Sequence, residues 1–235
     1  MTKHDLPVLI DFDGIIRPGD KLAGGAAEMF DFLNENKIPS CIITNSTRNT
    51  SQEVLQFLNK KGISLHVNAM TTIDVTLAYI KERNLRVSVY CIHNVKKEFK
   101  ELIDDKNPDA VVIGDLGEEW SYKILNEIFR KVHAGAEIIA MQKNKFWQPD
   151  GKNLSLDAGA FVAAIEYASG KEAVLIGKPS PFYFQAALRK LGFGKDNSFF
   201  MIGDDLETDI AGSQAIGGEG ILIFTGKTKF PPQLA

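Results

Sequence analysis

Short apolar runs alternating with amphipathic stretches organise this chain. Eight runs read as buried strands: PVLIDF, IPSCIIT, RVSVYCI, DAVVIGD, AEIIAMQ, AVLIGK, SFFMIGD and GILIFTG. Most are bounded by Gly, Pro, Asn or Asp, residues that punctuate strands. Between them apolar residues recur at helical spacing. AAEMFDFLNENK is one such stretch. In TSQEVLQFLNKKG, Val54, Leu55, Phe57 and Leu58 lie towards one side; Thr50 with Glu53 has the pattern of a capping box, and Gly62 supplies a stop. SPFYFQAALRKLG has Ser180 at the N-cap position and Pro181 in the first turn, and closes at Gly192. Strands alternating with helices predict an α/β fold with a parallel sheet covered on both faces. The middle of the chain, residues 80–174, has strands and helices of its own. It reads as an α/β module inserted into a host domain made of residues 1–79 and 175–235.

Composition narrows the classes of function. A length of 235 residues buries a sizeable core, and 44% hydrophobic residues is ordinary for a globular chain. A formal net charge of −3 without basic blocks argues against a nucleic-acid partner. Cys41 and Cys91 both fall inside strand-like runs, so they read as small buried hydrophobes in a reducing compartment. The N-terminal MTKHDLPVLI lacks the apolar core of a signal peptide, and no apolar stretch reaches bilayer length. The expectation is a cytoplasmic protein with no membrane partner. His4, His66, His93 and His133 are scattered without metal-ligand spacing.

The candidate chemistry lies at strand ends. LIDFDG places Asp11 and Asp13 two residues apart, on one side of an extended chain, at the carboxyl end of an apolar run. Ligands of open α/β sheets bind at that edge. Two carboxylates roughly 4 Å apart repel by about 4 kcal/mol at an effective dielectric near 20, which a cation or a shared proton relieves. A second acidic strand end, SFFMIGDDLETD, offers Asp204, Asp205 and Asp209. Hard oxygen ligands of this kind suit Mg²⁺. Any one such Asp has the plainer reading of a turn or helix cap. Two further strand ends carry matching donors: Thr44, Asn45 and Ser46 after IPSCII, and Lys178 after AVLIG. Taken together, the four ends fit a site for Mg²⁺ and a phosphoryl group.

That set resembles the haloacid dehalogenase superfamily of hydrolases. LIDFDG is similar to its first motif, CIITNS to its second, IGKP to its third and GDDLETD to its fourth, in the same order. The long gap between the second and third motifs resembles the NagD-type branch, which inserts a large cap there. The resemblance implies a Rossmann-like core and a Mg²⁺-dependent phosphatase acting on a small phosphorylated molecule, pyrophosphate or a phosphoamide. It implies Asp11 as nucleophile and Asp13 as general acid and base. Asp11, Asp204 and the main-chain carbonyl of Asp13 would surround the metal. Thr44, Asn45, Ser46 and Lys178 would hold the phosphoryl oxygens. It leaves Asp205 as either a helper ligand or a helix cap, and Asp209 as orienting metal-bound water or Lys178. It also implies a cap that closes over the site and a homodimer made through the cap. MQKNKFWQPDGKNLSLDAGAF, with Trp147 and Asp157, reads either as the substrate-contact region of the cap or as an ordinary polar connection with Trp147 packed as core, while Phe146, Trp120 and Tyr90 read as packing and Arg48 as either a phosphate contact or a solvated arginine. A phosphate-binding module without turnover is the rival reading, and a receiver-like phosphoacceptor is disfavoured by the size of the insertion.

Overall fold

The structure is a computed structural model that describes residues 6–19, 21–63, 68–147 and 153–228. Its strands are β1 (Val8–Asp11), β2 (Ser40–Thr44), β3 (Asn68–Thr71), β4 (Val87–Tyr90), β5 (Ala110–Ile113), β6 (Glu137–Ala140), β7 (Phe146–Trp147), β8 (Ser155–Leu156), β9 (Val174–Leu175), β10 (Phe200–Gly203) and β11 (Glu219–Leu222). The chain divides into two compact units. One comprises residues 1–46, 51–71 and 178–235, the other residues 47–50 and 72–177. The sequence placed these divisions near residues 80 and 174. Among the described residues, no helix is long and apolar enough to cross a membrane.

The first unit holds a five-stranded parallel sheet in the order β11-β10-β1-β2-β3. β1 and β2 are buried along their whole length, as parallel strands flanked on both faces must be. From β1 the chain steps outward to β2 and β3; after the insertion it returns on the other side of β1 as β10. The strand order therefore reverses between β1 and β10, the place where open α/β sheets bind ligands. The register Val8–Phe200, Leu9–Met201 and Ile10–Ile202 brings the ends of those two strands level. One apolar cluster lies beneath, built from Ile10, Phe12, Phe30, Ile42, Val54 and Leu58. Helix Ala26–Glu35 contributes Ala26, Phe30 and Leu33, one helical face, and leaves Phe32 exposed.

The second unit has its own parallel sheet, β4-β5-β6-β9, and a separate antiparallel pair, β7-β8. Its core joins Val111, Ile113 and Ile138 of the sheet to Ile128, Val132 and Val162 of two helices. Helix Tyr122–His133 starts at Ser121, whose hydroxyl accepts the Ile124 N–H, and ends in Arg130, Lys131 and His133, where cations favour the helix dipole. Helix Ala158–Ser169 is capped by the Asp157 carboxylate and stops at Gly170 in the left-handed region.

The eight predicted strands all form. β3 and the β7-β8 pair were not anticipated, because NAMT and two-residue strands carry too little alternation to be read as strands. Phe146, expected to pack, is 40% exposed, since a two-residue ribbon has no layer of core of its own to enter. Ser180 stands at the N-cap of helix Pro181–Lys190, but its hydroxyl makes no capping bond. Trp120 stacks on Phe161 with centroids 4.2 Å apart. Tyr90 is buried, its hydroxyl donating to Glu127. Both cysteines are buried. His4, His66 and residues 148–152 of the expected contact region lie outside the described residues.

Candidate active site

Four chain segments of the first unit converge at the carboxyl ends of β1, β2 and β10. Asp11 is the last residue of β1 and Asp204 follows β10 directly. Asp209 reaches the same place from the π-helical turn Leu206–Ala211. All three carboxylates are buried, and one oxygen from each lies within 4.8 Å of the others. Lys178 enters among them. Its ammonium is 2.5 Å from Asp11 Oδ1 and 2.7 Å from Asp209 Oδ1, and its side chain is 3% exposed.

The electrostatics follow from that count. Burial and the neighbouring carboxylates of Asp209, Asp204 and Asp13 push the Asp11 carboxyl well above the ordinary range, against the pull of Lys178. Burial also raises Asp204, assisted by Asp209. For Lys178, burial favours the neutral amine, but Asp11 and Asp209 overcome it and hold the group above its ordinary value. Three carboxylates against one ammonium leave an excess of two negative charges when all are ionised. A divalent cation matches that excess, and the all-oxygen donor set suits a hard ion.

The supporting contacts explain how the sequence holds this cluster. The Asp204 and Asp205 N–H groups both donate to Asp209 Oδ2, at 3.2 Å each. Asp205 caps the π-helical turn, accepting the Glu207 and Thr208 N–H groups, and pairs with Lys227. The Asn45 amide donates to the Lys178 carbonyl at 2.9 Å and accepts the Lys178 N–H at 2.8 Å, joining the end of β2 to the lysine segment through a reciprocal pair. The Ser46 N–H donates to Thr44 Oγ1, which donates to Asp13 Oδ2 at 3.2 Å.

Asp13 does not contribute its carboxylate to the buried trio. That group is 47% exposed and takes two bonds from Arg17, Nε at 3.2 Å and Nη2 at 2.8 Å, on Oδ1. The Arg17 guanidinium lies over the Phe12 ring, 4.7 Å from its centroid. Sequence reasoning missed Arg17; its signal was the (i, i+4) spacing from Asp13. Reasoning also missed Tyr183, which is fully buried. The Tyr183 hydroxyl accepts the Thr44 N–H at 3.2 Å and lies within donating distance of the Thr44 and Met70 carbonyls, at 2.7 and 3.0 Å. It thereby ties the end of β2 to the end of β3. Tyr183→Phe strands those buried backbone groups, so it should lower stability by about 1–3 kcal/mol in denaturant titration.

The remaining candidates belong to the second unit. Arg48 pairs with Asp115 at 3.1 Å and lies over the Trp147 ring, 5.7 Å from its centroid. Trp147 is 37% exposed. Asp157 accepts from the Gln142 amide at 2.5 Å and from the Ala158 N–H at 2.7 Å, a cap and a loop anchor in one.

Residues 8–105 match the family model described as haloacid dehalogenase-like hydrolase, and residues 175–232 match one described as HAD-hydrolase-like. The chain is 33% identical over 222 residues to haloacid dehalogenase-like hydrolase domain-containing protein 2 of Bos taurus, covering 94% of this chain and 84% of that protein. It is 31% identical over 227 residues to the phospholysine phosphohistidine inorganic pyrophosphate phosphatase of Rattus norvegicus, covering 94% and 83%. Among solved structures it is similar to NagD from E. coli K-12, with a TM-score of 0.84, 25% identity, and 96% and 90% of the two chains covered.

Proposed function

This chain belongs to the haloacid dehalogenase-like hydrolases, and from that premise we propose that it is a Mg²⁺-dependent phosphatase of a small phosphorylated molecule, pyrophosphate or a phosphoamide. The observation that carries the reading is the buried Asp11–Asp204–Asp209 cluster facing Lys178. Relatives named as hydrolases and as a pyrophosphate phosphatase support it.

Asp11 and Asp204 hold the metal in this reading, together with the main-chain carbonyl of Asp13, and Asp209 orients the set through the Asp204 and Asp205 N–H groups and Lys178. When bound, Mg²⁺ offsets the carboxylate charge and polarises the phosphoryl oxygens. Asp11 supplies a carboxylate oxygen that attacks phosphorus; the bond to the leaving oxygen or nitrogen breaks, and an aspartyl-phosphate forms. Asp13, half-buried and held by Arg17 and Thr44, gives its proton to the leaving group. It then takes one from the water that hydrolyses the acyl-phosphate. Lys178, the Thr44 hydroxyl and the backbone that follows it hold the equatorial oxygens, where charge gathers in the transition state. Asn45 acts by seating the Lys178 backbone.

The test is a phosphate panel containing an aryl phosphate, alkyl monoesters, pyrophosphate and a phosphohistidine mimic. Hydrolysis of at least one member should require Mg²⁺ and vanish with excess chelator. Turnover that survives chelation contradicts the metal requirement, and silence across the whole panel favours the binding module.

A further inference from the structure

The segment that follows β11 has no role in the motifs read from the sequence, yet it bonds both the side chain and the main chain of Asp204. The Lys227 N–H donates to Asp204 Oδ2, and the Thr228 N–H donates to the Asp204 carbonyl at 3.0 Å. Asp204 is therefore gripped by its side chain and its main chain together. The Thr225 hydroxyl donates to the Gly14 carbonyl at 2.7 Å, tying the same segment to the turn after Asp13. The Lys227 ammonium pairs with Asp205. Two glycines make the close approach feasible. A Cβ at Gly226 would overlap the Asp204 carboxyl group, and a Cβ at Gly14 would meet that carboxyl and the Gly226 Cα. Gly14 also has φ +85°, a conformation that favours glycine.

We propose that Thr225–Thr228 is a positioning strap that sets the orientation of the Asp204 carboxylate and so determines the affinity of the site for its divalent cation. The inference rests on the metal-dependent reading above. A carboxylate offers about four lone-pair positions over two oxygens. The Lys227 N–H occupies one on Oδ2, which restrains the group and leaves its other positions for a cation. Thr225 sets the height of the strap by anchoring it to Gly14, and the absent Cβ of Gly226 lets its backbone lie against Asp204. These residues touch neither phosphorus nor leaving group; they act through Asp204.

The experiment titrates Mg²⁺ alone into the full chain and follows binding by calorimetry and by the shift in melting midpoint, with no substrate present. Thr225→Val keeps the shape and deletes the hydroxyl. It should weaken Mg²⁺ binding by about 5-fold, the size of one lost hydrogen bond, since Thr225 reaches Asp204 only through the strap, while the metal-free melting midpoint changes little. Gly226→Ala should weaken it at least as much, and Thr225→Ser should restore wild-type affinity. If Gly226→Ala fails to fold, the Thr225 pair decides the matter. Wild-type affinity in Thr225→Val overturns the strap, and so does an equal loss in Thr225→Ser and Thr225→Val. A wild-type chain that binds no Mg²⁺ overturns the metal-dependent reading and the strap with it.

Discussion

Asp11→Asn should reduce turnover of a phosphate monoester by at least about 10⁴-fold, in line with the loss of a nucleophile in other covalent mechanisms. The substitution keeps the volume of the side chain and removes only its charge and nucleophilicity. Lys178 retains its pair with Asp209 at 2.7 Å, so the cluster keeps an internal partner for the ammonium. The fold should therefore survive, with an unchanged far-ultraviolet dichroism spectrum and a cooperative melt. The decisive measurement is kcat on an aryl phosphate with saturating Mg²⁺, alongside a trapping assay for acid-stable phosphate on the chain. Wild-type protein should incorporate labelled phosphate on Asp11, and Asp11→Asn should incorporate none. Near-normal kcat in the variant would eliminate the aspartyl-phosphate route.

Lys178→Met should cost about 3–5 kcal/mol of stability in addition to activity, because it removes the cation between Asp11 and Asp209 and leaves buried carboxylates without compensation. For a chain of this length that corresponds to a melting midpoint lower by roughly 10 °C. Two rescues should follow. Mg²⁺ should restore part of the loss, since it binds the folded state and supplies the missing positive charge. Acidification should also restore part of it. Burial raises the Asp11 and Asp204 carboxyls above the ordinary carboxylate range. A group whose folded pKa is raised contributes stability below its unfolded pKa and loses it as pH rises through the folded one. Stability of the metal-free variant should therefore fall as pH rises above the ordinary carboxylate range, more steeply than in wild type. A variant that melts like wild type at neutral pH would show that Lys178 is not what balances the cluster.

Much of the framework was legible before any coordinates. Apolar runs such as PVLIDF, IPSCIIT and SFFMIGD are compact signals, because a strand in a parallel sheet is buried on both faces and cannot alternate with polar residues. Acidic and hydroxyl-bearing residues at their ends are equally local. The sequence was silent on β3 and on the β7-β8 pair, whose few residues carry no period. It also ranked the aspartates by motif position alone. In the fold, Asp209 joins Asp11 and Asp204 in the buried trio, while Asp13 turns out to Arg17 and Thr44.

By itself the sequence determined eight of the eleven described strands, which strand ends bear chemistry, and the family to which the chain belongs. Only the tertiary structure decided which of those side chains meet. Asp11 and Lys178, 167 positions apart, are brought to 2.5 Å, and the register of β1 with β10 brings the Asp204 strand end level with that of Asp11. Likewise the Tyr183 tie and the Thr225–Thr228 strap exist through hydrogen bonds spanning 139 and 211 positions. Local propensity governs the backbone a residue adopts. Long-range register and side-chain direction govern its partners, and no short window of sequence contains them.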